Sequence, residues 1–145
     1  MARSNTALAH CFSYYYRYCL DYNPNIRALQ EEETKMTLGQ KQRKFSKMLA
    51  ELILWAYANG YEIAIGEVFR TPEQAALNAA KGTGIANSLH TMCLAADLNL
   101  FKDGVYLTKT EDHTALGLQW ESMGGTWGGR FNDGNHYSLE HQGVK

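Results

Sequence analysis

The sequence predicts an α+β domain in which helices pack on a small antiparallel sheet. Three observations predict it. Apolar residues recur at helical spacing directly after residue 37. The dipeptide Asp103-Gly104, a strong hairpin turn, joins two short apolar runs. The elements run helix, strand, helix, strand, strand, helix, strand, an order in which hairpins outweigh parallel crossovers.

Residues 1–36 form an N-terminal arm, rich in tyrosine and then acidic, with Pro24 in its middle. Cys11, Tyr15, Tyr18 and Tyr22 fall near helical spacing there, but the composition suits a loosely packed segment. Met36 is a natural start, which would make the arm an upstream extension. The domain proper spans 37–145. Thr37 and Gln40 match a T-x-x-Q capping box. Phe45, Met48, Leu49, Leu52, Ile53 and Ala56 then mark an amphipathic helix over 38–58, ended by Asn59-Gly60. Lys41, Arg43, Lys44 and Lys47 are expected on its solvated side.

Residues 61–69 (YEIAIGEVF) alternate like a strand closed by Arg70, with Ile63, Ile65 and Glu67 on one face. A buried Glu67 would need a partner. Thr71 as N-cap, Pro72 at the first helical position and Gln74 as reciprocal cap start a second helix that ends at Lys81-Gly82. The loop GTGIANS leads to Ser88 and His90. Residues 94–100 (LAADLNL) read as a strand, and the chain folds back through Asp103-Gly104. Residues 110–123 read as a helix with Leu116, Trp120 and Met123 on one face. The glycine-rich passage GGTWGG then leads to Phe131 and DGNHYSL.

Composition narrows the function. The chain has 145 residues, enough for one domain with a single core. It is 45% hydrophobic and 20% charged, with net charge −1 and no long basic block, so nucleic acid is not the expected partner. No apolar run approaches the roughly 18–20 residues of a membrane span. The N-terminal apolar stretch is broken by His10, Ser13 and Arg17 and lacks a signal-peptide cleavage site, so the expected place of synthesis is the cytoplasm. Three widely spaced cysteines (Cys11, Cys19, Cys93) suit neither a disulfide framework nor a CxxC knuckle. The sequence specifies no oligomeric state.

The chemistry lies in 88–97 (SLHTMCLAAD) and 133–136 (DGNH). His90, Asp97 and His136 supply two imidazoles and a carboxylate, the donor set of a catalytic zinc site with an open fourth position. His90 and Asp97 are seven apart and would face opposite ways in one straight strand. His90 is therefore expected on a loop and Asp97 in the strand, with Met92, Leu94 and Ala96 packed beneath. Asp133 is opposite His136 unless Gly134-Asn135 bends the chain. As a spare carboxylate, Asp133 is placed to take a proton from water and pass it to a leaving amine. Arg70 is a candidate for a substrate carboxylate or an oxyanion. The residues alone also allow unrelated surface groups, and Asp97 paired structurally with Arg70. His10, His113 and His141 read as surface or packing residues, and Trp127 as core. The glycines of GGTWGG read as turn residues, with no Lys-Ser/Thr after them to make a phosphate loop.

Ser88-x-His90-x-x-Cys93-x-Ala95-x-Asp97 resembles the S-x-H-x-x-G-x-A-x-D signature of the zinc D-Ala-D-Ala carboxypeptidase family, which also contains phage and bacterial L-alanyl-D-glutamate endopeptidases. Trp127-Gly128-Gly129 followed by Asp133-Gly134-Asn135-His136-Tyr137 resembles that family's W-G-G … D-x-x-H-F ending. Arg70 stands where the family places an arginine. The resemblance covers residues 37–139. It implies a Hedgehog/DD-peptidase-like α+β fold whose antiparallel sheet carries the metal. It implies zinc (Zn2+) held by His90, Asp97 and His136, Asp133 as general base, Arg70 as a substrate or transition-state contact, and Ser88 as a hydrogen-bonding support. It also implies a peptidoglycan stem peptide as substrate. The expected activity is that of an L-alanyl-D-glutamate endopeptidase acting as a phage endolysin, which reaches the wall once the membrane is permeabilised. The alternatives are a D-Ala-D-Ala carboxypeptidase and a non-catalytic zinc-binding domain. Cys93 replaces the motif glycine, so the backbone must tolerate a side chain there or the thiol competes as a ligand. Tyr137 replaces phenylalanine and is expected to bring a hydroxyl near the site. Ser138 replaces the usual Glu or Gln.

Overall fold

The computed structural model describes residues 36–145. The arm, with His10, Cys11, Cys19 and its tyrosines, lies outside the described residues. The elements are α1 (Leu38–Ala58), β1 (Glu62–Ile65), α2 (Pro72–Ala80), β2 (Ala95–Lys102), β3 (Val105–Leu107), α3 (Thr114–Ser122), β4 (Thr126–Trp127) and β5 (His136–Ser138). Short 3-10 turns cover Leu89–Met92, Thr110–His113 and Gly128–Phe131. Every strand pairing is antiparallel. The architecture is the expected α+β one.

The sheet is built around β2. β1 lies along one edge, and β5 and β3 follow one another along the other, with β4 outside β5. The β2–β3 hairpin turns at Asp103-Gly104, both with positive φ (52° and 74°), the backbone that an Asp-Gly pair favours. One face of β2 is core: Ala96, Leu98 and Leu100 have no exposed surface. α1 contributes Phe45, Met48, Leu52 and Ala56 to that core, and α3 contributes Leu116 and Trp120. Burying one such leucine is worth about 1.5–3 kcal/mol. The Trp120 indole meets Phe45 edge-on at 5.7 Å, and its Nε1–H donates to Ser138 O at 2.8 Å. The buried indole thus has a polar partner, and β5 is tied to α3.

Four expectations about the chain change. The first strand stops at Ile65, and Ile65 is exposed, so residues 66–70 do not continue the alternation. At this point Gly66 N–H donates to Asp97 O while Asp97 N–H donates to Glu67 O. Two residues oppose one, and this bulge bends the chain off the sheet. In α2 the Thr71 hydroxyl accepts from Gln74 N–H as expected, but the Gln74 amide donates to Asn78 Oδ1, so the cap is not reciprocal. Lys41 is buried, not solvated, and its Nζ donates to Glu140 O at 2.8 Å. Residues 110–113 form a 3-10 turn before α3 begins. Among the described residues no helix is long and apolar enough to cross a membrane.

Candidate metal centre

Asp97 and His136 are direct cross-strand partners on β2 and β5. Such partners point to the same face, so register alone brings this carboxylate and imidazole together. His90 arrives from the 3-10 turn Leu89–Met92, as its seven-residue spacing from Asp97 requires. Cys93 ends that turn at φ 52°, ψ 42°, and its N–H bonds back to His90 O and Leu89 O. The left-handed residue reverses the chain into β2. Its backbone explains why a glycine suits this position, and an L-residue there costs about 1–2 kcal/mol.

The three donor atoms form a nearly equilateral triangle. His90 Nε2 lies 3.2 Å from His136 Nδ1, His136 Nδ1 lies 3.1 Å from Asp97 Oδ1, and His90 Nε2 lies 3.3 Å from Asp97 Oδ1. Each neutral imidazole brings one N–H, so three mutual contacts cannot all be hydrogen bonds. A cation at the centre would satisfy all three. Donors about 2.0–2.1 Å from a tetrahedral zinc stand roughly 3.3–3.4 Å apart, so the triangle fits that ion. Burial alone would raise the Asp97 carboxyl, but hydrogen bonds from His136 and His90 outweigh it and hold the group well below its ordinary value. These contacts favour the carboxylate form of Asp97, the form that a cation would need. His90 Nδ1 is buried without a hydrogen-bond partner among the described residues, so packing orients this ring.

The triangle opens into a cleft of about 470 Å³ that is also lined by Arg70, Ser88 and Asp133. Asp133 stands on a tight loop: its N–H donates to Gly128 O at 3.1 Å, and Asn132 before it is left-handed. Gly128 packs between Asp133 and His136. A Cβ there would lie 2.4 Å from Asp133 O and 2.8 Å from His136 Cβ. Arg70 is held by Glu67, whose carboxylate accepts from Nε at 3.0 and 3.1 Å and also from Nη2. That hydrogen bonding lowers the Glu67 carboxyl and raises Arg70. Arg70 Nη1 reaches Ser88 Oγ at 3.4 Å, so Ser88 supports the arginine. Asp97 pairs with the two histidines rather than with Arg70.

Cys93 is not part of the donor cluster. The Tyr137 hydroxyl is not near the site either. Its ring is fully buried on the core side, and its OH meets His113 Nδ1 at 3.0 Å. Strand alternation sends Tyr137 away from the face that His136 occupies. Burial pushes the Tyr137 phenol up. His113 is the packing residue expected of it. Ser138 Oγ donates to Thr126 O across the sheet. Sequence reasoning missed the packing role of Gly128 and the apolar rim of the cleft, Ile85 and Phe131, both exposed. The W-G-G spacing marks Gly128 but not what it touches.

No family model and no curated protein matches the chain. Among solved structures, the L-Ala D-Glu endopeptidase ChiX of Serratia marcescens is similar at TM-score 0.52 and 20% identity, over 63% of this chain and 77% of that one. A variant of the vancomycin-resistance D,D-pentapeptidase VanY in complex with Zn(II) is similar at TM-score 0.46 and 22% identity, over 66% and 70%. The chain has the fold of the Serratia marcescens L-Ala D-Glu endopeptidase ChiX.

Proposed function

We propose that the chain is a zinc-dependent peptidase of peptidoglycan stem peptides, cutting the L-alanyl-D-glutamate bond as a phage endolysin. The observation that carries the reading is the His90, Asp97 and His136 triangle opening onto a cleft that also presents Asp133 and Arg70. The two sequence motifs and the name of the fold neighbour, an L-Ala D-Glu endopeptidase, support the choice of substrate. When bound, zinc would polarise the scissile carbonyl and acidify a water molecule towards a pKa of about 7.

The chain's own residues do the rest. His90, Asp97 and His136 would hold the ion. The Asp133 carboxylate accepts the proton of the attacking water and returns it to the leaving amine. Arg70 offers Nη1 to oxygen atoms of the substrate. Because Glu67 already balances its charge, Arg70 suits a peptide carbonyl better than a free terminal carboxylate. This favours internal cleavage over removal of a terminal D-alanine.

Digestion of purified sacculi tests the reading, with chelator and then added zinc, and mass spectrometry of the fragments. Chelator-sensitive, zinc-restored release of new N-terminal D-glutamate is expected. Free D-alanine without that terminus would overturn the bond choice. No cleavage with zinc bound would overturn the peptidase reading.

A further inference from the structure

Residues 66–70 bind both halves of the candidate metal centre through their backbone. Gly66 N–H donates to Asp97 O at 2.8 Å, Asp97 N–H donates to Glu67 O at 2.9 Å, and Arg70 N–H donates to His90 O at 3.3 Å. A Cβ at Gly66 would stand 2.9 Å from Asp97 O, so the bulge is closely fitted to the metal-side strand. The segment also carries the Glu67–Arg70 pair. Glu67 occupies Nε and Nη2, which leaves Nη1 as the nitrogen facing Ser88 Oγ on the cleft wall. The Arg70 side chain is 15% exposed and that of Glu67 37%, so the pair is not a freely solvated surface contact.

We propose that Glu67 is a positioning residue of this site. Its carboxylate fixes the guanidinium of Arg70 with Nη1 turned to the cleft, while its carbonyl oxygen fixes the strand position of Asp97. The inference rests on the peptidase reading. Glu67 itself touches neither substrate nor metal. A long arginine without this partner would sample several rotamers, and displacement of a contact group by about 1 Å costs up to roughly 10²-fold in rate.

The test is a double-mutant cycle in the full chain, read with kinetics and with nuclear magnetic resonance. Glu67→Ala is expected to lower kcat by roughly 10- to 100-fold while bound zinc stays at the native level. Glu67→Gln, which keeps one acceptor oxygen, should recover part of that loss. In an Arg70→Ala background, Glu67→Ala should add nothing. The Arg70 Nε–H resonance, assigned by its disappearance in Arg70→Lys, should be protected from solvent exchange in the native chain and unprotected in Glu67→Ala. A kcat within twofold of native for Glu67→Ala, the same loss in both backgrounds, or an unprotected native Nε–H would each overturn the proposal. Should the native chain cleave no peptidoglycan, the peptidase reading falls, and the resonance still decides whether Glu67 holds Arg70.

Discussion

Alanine at position 128 should disable the site without unfolding the chain. Gly128 has no positive φ, so the backbone suits alanine and the penalty is one of contact. The added Cβ would meet Asp133 O at 2.4 Å and His136 Cβ at 2.8 Å, where ordinary contact begins at 3.4 Å. The Asp133 backbone must therefore retreat by about 1 Å and His136 by about half that, which is the scale at which misplacement costs roughly 10²-fold. The expected loss in kcat/KM is about 10²-fold, equivalent to about 2.7 kcal/mol of transition-state stabilisation. Overpacking should also lower stability by about 1–3 kcal/mol. The assay is release of fragments from purified sacculi, with zinc content and a melting curve on the same samples. Gly39→Ala is the control: its Cβ would meet only the Arg43 guanidinium at 3.6 Å, within α1. It should stabilise by up to about 1 kcal/mol and leave turnover intact. If Gly128→Ala keeps activity within threefold of native and melts normally, the packing argument is wrong.

Cys93→Gly should raise the melting temperature by a few degrees, because it releases roughly 1 kcal/mol of left-handed strain (φ 52°). Zinc content should not change; a loss of zinc would make the thiol a ligand after all. Asp133→Ala should keep about one zinc per chain and lower kcat by about 10²–10⁴-fold, whereas His136→Ala should lose the metal. Wall lysis undiminished in Asp133→Ala would remove it as the base. Burial holds the His113 imidazole below its ordinary 6.5. The unfolded chain therefore binds more protons, so the His113 contribution is fully present above about pH 6.5 and is lost as pH falls towards the folded-state value. Urea midpoints between pH 7.5 and 5 should fall more steeply for the native chain than for His113→Gln; equal slopes would contradict this.

What the sequence made legible depended on how local the signal was. The α1 stripe is a repeat along one element, and Asp103-Gly104 encodes its own turn, so both needed no tertiary knowledge. The His90, Asp97 and His136 grouping was legible because two motifs name it, and strand register then brings Asp97 opposite His136. Lys41 was misread although it stands four residues before Phe45, within the buried stripe. Its charge suggested solvent, and its burial is explained by the distant Glu140, whose carbonyl accepts from Nζ and whose carboxylate stands 3.6 Å from it. The strand over 61–69 was overextended because alternation continues through Gly66 and Glu67, while the bulge that ends it depends on Asp97 across the sheet. The need of Glu67 for a partner was visible, but that the partner is Arg70, three residues on, followed only once the chain was seen to leave the sheet.

Strand parity decides which side chains belong to the site and which to the core. On β2, Ala96 and Leu98 are fully buried and Asp97 between them faces His136. On β5, His136 faces the cleft while Tyr137, its immediate neighbour, is locked into the core by His113. Asp97 is thus flanked by core residues on both sides and His136 on one, so packing alone sets the position of each donor. A one-residue slip of β5 would turn Tyr137 to the cleft and His136 to the core, losing the donor and burying an imidazole in place of the phenol. The Tyr137 ring, packed edge-on against Trp120 at 6.2 Å, opposes that slip. The core therefore fixes the register that makes the donor triangle, and a tyrosine that never touches the cleft helps to hold the histidine that does.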